Sequence, residues 1–234
     1  SRGYGVIYRA NGYVPQRIST HAIEYEIQSY GDVSNAIAYS YQQNGHSFYV
    51  ISFPSVSKTW CYDVASNSWH ERAYFNNGQF SRHRSNCYSF FNNSSLVGDY
   101  ENGNIYKFDE TVYTDNGELI KWLRSWRALL PESNNLKRSI QHFLQIDVES
   151  GVGLVSGQGA DPEIILRFSD NGGHTWSYES VRKIGEIGNY GKRVIWRRLG
   201  MTTKLRDRVY ELSGTDPVKI NIIGAILGIS GTYA

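Results

Sequence analysis

The chain has 234 residues, a formal charge of +2, and 40% hydrophobic and 14% aromatic residues, with 18 tyrosines against one methionine. That length can bury a sizeable core, and the near-neutral balance removes any whole-molecule pull toward nucleic acid or a membrane surface. No stretch approaches the roughly 18 apolar residues of a spanning helix, and the tyrosine excess favours strands and broad contact surfaces over helices.

The chain opens Ser1-Arg2-Gly3, with neither an initiator methionine nor a signal peptide, and reads as the C-terminal piece of something longer. Pro15 cannot donate to a strand ladder, so the segment around it is expected at an edge or entry. Ile23 and Ile27, at helical spacing behind Ser19 or Thr20 as N-cap, predict one short helix over Ser19–Tyr30. Strand-like runs at Ala36–Tyr41, Ser47–Phe53 and Thr59–Val64 predict a meander. Residues Tyr74–Asn93 show no clear period. Strands return at Ser95–Tyr100, Asn104–Phe108 and Leu119–Ser125, with Asn-Gly pairs in the turns between them. Leu129–Ser139 reads as a loop and Ile140–Val148 as a strand with an inward face.

Gly151–Gly159 is glycine-rich but lacks the lysine-serine ending and the following helix of a phosphate-cradling loop, so it is read as a connection. Ile220–Ile229 lacks polar alternation and is expected to be a strand buried on both faces that closes the fold, rather than a subunit contact. Cys61 and Cys87 are read as free, buried thiols of a reducing compartment, and the six histidines are scattered singly, so no metal and no cofactor are expected. No nucleophile elbow or zinc-helix motif is present, and adjacent carboxylates such as Asp109 and Glu110 would point to opposite faces of a strand. No catalytic residue is therefore assigned.

Trp69, Trp122 and Trp176 are spaced 53 and 54 residues apart, and each ends a strand-turn-strand segment. A unit of about 50 residues built from short strands is the mark of a propeller blade. The predicted fold is accordingly all-β, a single β-propeller-like domain of antiparallel blades over residues 1–234. The last copy also fits an Asp-box turn (S-x-D-x-G-x-T-W): Ser169, Gly173, Thr175 and Trp176 take their places, with Asn171 in the Asp position. Such a turn is a structural clip. A short amide at Asn171 accepts loop N–H groups, glycine supplies positive φ, and the Trp176 ring is expected beneath the turn.

Lys183–Arg208 is rich in basic residues, among them Lys192, Arg193, Arg197, Arg198, Arg206 and Arg208. These read either as a docking face for an acidic protein or a phosphate backbone, or as solvated sheet edges whose charges block edge-to-edge pairing.

Four segments, GVIYRANGYVPQRIST, RFSDNGGHTWS, IGEIGNYGKRVIWRRLG and RDRVYELSGTDPVKINIIGA, together resemble the C-terminal half of the packaged-DNA-stabilising tail accessory proteins of short-tailed bacteriophages. The resemblance spans Gly5 to Ala225. It implies a non-enzymatic virion protein, assembled in the bacterial host cytoplasm. In the tail it would form a homo-oligomeric, hexameric ring below the portal, between a portal adaptor and the tail needle or tailspikes. It implies no catalytic residues. Asn171 departs from the usual Asp. The alternative, motivated by the Asp box and the arginines, is a sialidase-like glycan hydrolase or glycan-binding propeller; that chemistry needs an arginine cluster and a tyrosine-glutamate pair.

Overall fold

The computed structural model describes residues 5–127, 138–202 and 208–231. They form two compact units, Ser1–Asp109 and Glu110–Ala234, where the sequence reading took the chain as one domain.

In the first unit a hairpin of β1 (Tyr8–Asn11) and β2 (Val14–Arg17) leads into α1 (His21–Ser29). Thr20 is the N-cap, its side chain accepting the Ile23 N–H at 3.4 Å. Ser19, the other candidate, is buried and donates instead to the Glu24 carboxylate at 2.6 Å. Arg17 donates to the same carboxylate from Nε at 2.7 Å and holds it below the usual carboxylate range. The apolar stripe of α1, Ile23 and Ile27, buries with Phe53 against Trp60 and Trp69.

Next come β3 (Ile37–Gln43), β4 (His46–Phe53), β5 (Lys58–Asp63) and β6 (Ser68–Glu71), an antiparallel meander in the order β3-β4-β5-β6. A four-stranded meander is the unit of a propeller blade. The region without period, Tyr74–Asn93, contains most of β7 (Ala73–Asn76) and all of β8 (Gln79–Arg82) and β9 (Ser85–Phe91). Strands of four residues joined by Asn77-Gly78, both at positive φ, are too short to display an alternation. With β10 (Ser94–Asp99) and β11 (Ile105–Lys107), β9 makes a second, three-stranded meander. Tyr41, Val50 and Cys61 of the first meander pack with Tyr88 of β9 and with Phe108, and the Tyr39 and Tyr88 rings stack 5.7 Å apart. Tyrosine thus fills the space between two blade-like sheets. Cys61 is buried there, but Cys87 is exposed, contrary to expectation; both are free.

The second unit begins with a two-residue-turn hairpin, β12 (Thr114–Asp115) and β13 (Glu118–Leu119), around Asn116-Gly117. It continues through β14 (Trp122–Arg127), β15 (Ser139–Val148), β16 (Glu163–Ser169), β17 (Ser180–Lys183), β18 (Val194–Met201), β19 (Val209–Gly214) and β20 (Ile222–Gly231). These form two antiparallel sheets, β14-β19-β16-β17 and β18-β15-β20. Leu144 and Ile146 of β15 and Trp196 of β18 share one buried core with Ile164 and Leu166 of β16 and Tyr210 and Leu212 of β19. Two sheets closing on one apolar layer make a sandwich.

This geometry overturns the reading of the tryptophan spacing as a repeat. Trp69 lies in β6 of a blade, Trp122 opens β14 of a sandwich sheet, and Trp176 follows a turn outside any strand. The expected burial of Ile220–Ile229 on both faces also fails. Among the described residues β20 pairs with β15 alone, at the edge of its sheet, and Ile223 and Ile226 are 68% and 58% exposed. Gly228 has a specific task in β20, because a Cβ there would collide with the Phe143 ring across the ladder. Nearly all of the loop expected over Leu129–Ser139 lies outside the described residues.

Candidate functional site

The Asp-box turn leaves β16 and closes as its residue types require. Ser169 Oγ accepts the Gly173 N–H at 2.9 Å and donates to Asn171 Oδ1 at 2.8 Å. Asn171 Oδ1 also accepts the Thr175 N–H at 2.9 Å, and Asn171 Nδ2 donates to Thr175 Oγ1 at 2.9 Å. Gly172 and Gly173 take φ of 71° and 100°. The amide at Asn171 therefore both accepts and donates, a pair of bonds that one orientation of the side chain satisfies together. Trp176 is half-buried, with a guanidinium on its ring: Arg167 lies 4.6 Å from the ring centroid.

The turn also carries Asp170, and here the structure corrects the basic-face reading. Arg208 is 2% exposed and grips Asp170 with two bonds of 2.6 and 2.7 Å. It donates further to the Leu199 carbonyl at 2.6 Å and lies 4.2 Å from the Phe168 ring centroid. The residue just before β19 thereby ties the Asp-box turn to β18 of the opposite sheet. Arg208 is a buried clamp and has no part in a docking face. Arg206 lies outside the described residues. Lys192, Arg193, Arg197 and Arg198 are exposed, on and before β18. Arg198 takes a left-handed φ of 59° where the β15-β18 register slips, a bulge at the sheet's other edge.

The arginines nearest the Asp box are thus engaged by carboxylates of their own fold, Arg167 by Glu211 and Arg208 by Asp170. Tyr210, beside Glu211 in sequence, is fully buried and donates to Gln141. Neither residue is placed as the nucleophile pair that the glycan-hydrolase alternative needs. Among the described residues no group of three or more His, Cys, Asp or Glu side chains could hold a metal ion, and no helix is long and apolar enough to cross a membrane.

One site escaped the sequence reading. In the first unit a cavity of about 560 Å³ lies against β3 and β4. Its floor is a cross-strand row, Ser40 opposite Tyr49 opposite Tyr62, with Gln42 opposite Ser47 alongside. Ile7, Tyr8 and Arg9 of the N-terminal segment and Ile18 make another wall, held in place where Trp69 Nε1 donates to the Ile18 carbonyl at 2.8 Å. Burial pushes the Tyr49 hydroxyl above its ordinary range. The sequence signal was present as small polar residues alternating inside two strands, S-x-Q in β3 and S-x-Y in β4, but such alternation equally describes a solvated face.

Two family models match the chain: "Bacteriophage P22 Gp10, beta-propeller" over residues 1–113 and "Bacteriophage P22 Gp10, beta-sandwich" over residues 122–229. No curated protein matches. The boundary between the matches falls where the blade-like unit gives way to the two-sheet unit, and each description fits the architecture of the residues it covers. With both of its units matched in order, the chain belongs to the bacteriophage P22 Gp10 family, a family of phage tail structural proteins.

Proposed function

We propose that this protein acts without catalysis as one subunit of a hexameric ring in a short phage tail. It plugs the portal exit, stabilises the packaged DNA, and connects the portal adaptor above to the tail needle or tailspikes below. The observation that carries this reading is the ordered match of both units to the parts of one phage protein.

Two surfaces of the sandwich support it. β20 presents a ten-residue edge without a single charged side chain, and uncharged edges of that length are usually covered in an assembly. The opposite edge, β18, carries the exposed Lys192, Arg193, Arg197 and Arg198, which suit an acidic partner surface or DNA phosphates.

Particles assembled without the protein test the role directly. They are expected to lose DNA after packaging, and electron cryo-microscopy of particles carrying a tagged copy should place six copies at the tail vertex. Full DNA retention and a complete tail in its absence would refute the proposal.

A further inference from the structure

We propose that the cavity on β3 and β4 of the blade-like unit binds a neutral sugar ring. This inference does not rest on the tail role; it follows from which groups line the cavity.

Ser40, Gln42, Ser47 and Tyr49 all line it, and none of their side chains has a hydrogen-bond partner among the described residues. Four unpartnered polar side chains converging on one concavity are costly to cover with an apolar ligand, because each would be stripped of water without replacement. Beside them stand the rings of Tyr8, Tyr49 and Tyr62. A ligand that suits both sets presents C–H groups on one face and hydroxyls round its edge. A pyranose has that form, and its axial hydrogens pack on an aromatic face as an apolar group does.

Charge excludes the main competitors. Among the described residues Arg9 is the one charged side chain lining the cavity, and its guanidinium already donates to Gln16 Oε1 at 3.2 Å. An anionic ligand would find a single, shared cation, and a cationic one no carboxylate. At about 560 Å³ the cavity falls within the ordinary range of small-ligand sites, with room for a short oligosaccharide.

Saturation-transfer NMR and calorimetry on the intact chain test this with maltotriose, chitotriose and cellotriose. p-Cresol serves as the probe for an aromatic side chain. At least one of the sugars is expected to bind and to perturb the fluorescence of Trp69, whose ring packs on Tyr62 at 5.1 Å. Gln42→Ala, at an exposed position where folding is not at risk, should weaken binding about tenfold, and Tyr49→Phe should weaken it by a similar factor. Three results overturn the proposal: no binding of any of the three sugars, p-cresol binding in their place, or sugar binding that neither substitution alters.

Discussion

Arg208 offers the sharpest test of how the sandwich is held together. Replacing it by methionine keeps much of its apolar stem but removes both bonds to Asp170 and the bond to the Leu199 carbonyl. Breaking a buried pair from one side typically costs about 3–5 kcal/mol. Asp170 retains 21% exposure, so water partly re-solvates it and the lower end, about 3 kcal/mol, applies. At a urea dependence of about 2 kcal/mol per molar, the midpoint should fall by about 1.5 M. Urea denaturation followed by tryptophan fluorescence reads this out. Because the chain has two units, the transition of the unit containing Trp122, Trp126, Trp176 and Trp196 should move while the other stays in place. The double variant Arg208→Met with Asp170→Leu removes the uncompensated charge and should recover most of the loss. An unchanged midpoint for the single variant, or a double variant no better than the single, would refute the clamp.

Three further outcomes follow from the same geometry. Trp176→Ala should cost about 1–2 kcal/mol, less than a fully buried aromatic, because the half-buried ring loses one Arg167 contact and its seat near Gly173 rather than a place in the core; an unchanged thermal midpoint would show the ring to be idle. Asn171→Asp should leave stability within about 0.5 kcal/mol, since the carboxylate still accepts from Thr175 N–H and Ser169 and the Thr175 hydroxyl can turn to donate; a loss above about 2 kcal/mol would make the Nδ2 donor essential. His83 Nδ1 accepts the Ser85 N–H, and burial lowers this imidazole from 6.5 to about 4. The unfolded state therefore binds the proton first. Stability should be full well above pH 6.5 and fall by about 3 kcal/mol as the pH drops to 4, and His83→Gln should flatten that window. Glu24, Asp63 and Asp99 are held below the usual carboxylate range, so their contributions begin to be lost only at the acid end of the His83 window and leave most of it readable.

Local signals in the sequence were reliable where backbone chemistry decides the structure. Thr20 capped the helix, the meander fell within two residues of its expected strands, and the octapeptide after β16 closed through side-chain bonds of Ser169 and Asn171, because caps, turns and strand alternation act over a few residues. Burial of a charged side chain is settled at long range and has no such signal. Arg208 looked like Arg197 and Arg198 in a basic run, yet Asp170, 38 residues earlier, draws it inside. The tryptophan spacing misled for the related reason that a period counts residues and not environments. Trp69 donates from a blade strand to the Ile18 carbonyl, while Trp122 opens a sheet with a different partner order and Trp176 follows a turn outside any strand.

The same distinction explains why the cavity and the β20 edge were invisible. Ser40, Gln42 and Ser47 are unremarkable polar residues of a half-solvated meander until the N-terminal segment folds over them, and the register that lines them up with Tyr49 and Tyr62 is set by two separate turns. For β20, composition argues burial on both faces, but among the described residues its pairing with β15 alone leaves one side of an uncharged ladder open. In a monomer that is a hazard; in a subunit of an assembly it is a place for a neighbour. The residues whose environment departs furthest from their composition, the apolar Ile223 and Ile226 in solvent and the charged Arg208 in the core, therefore carry separate information. Arg208 reports how the sandwich holds its own two sheets together, and the two isoleucines mark the uncharged strand that composition alone would have buried.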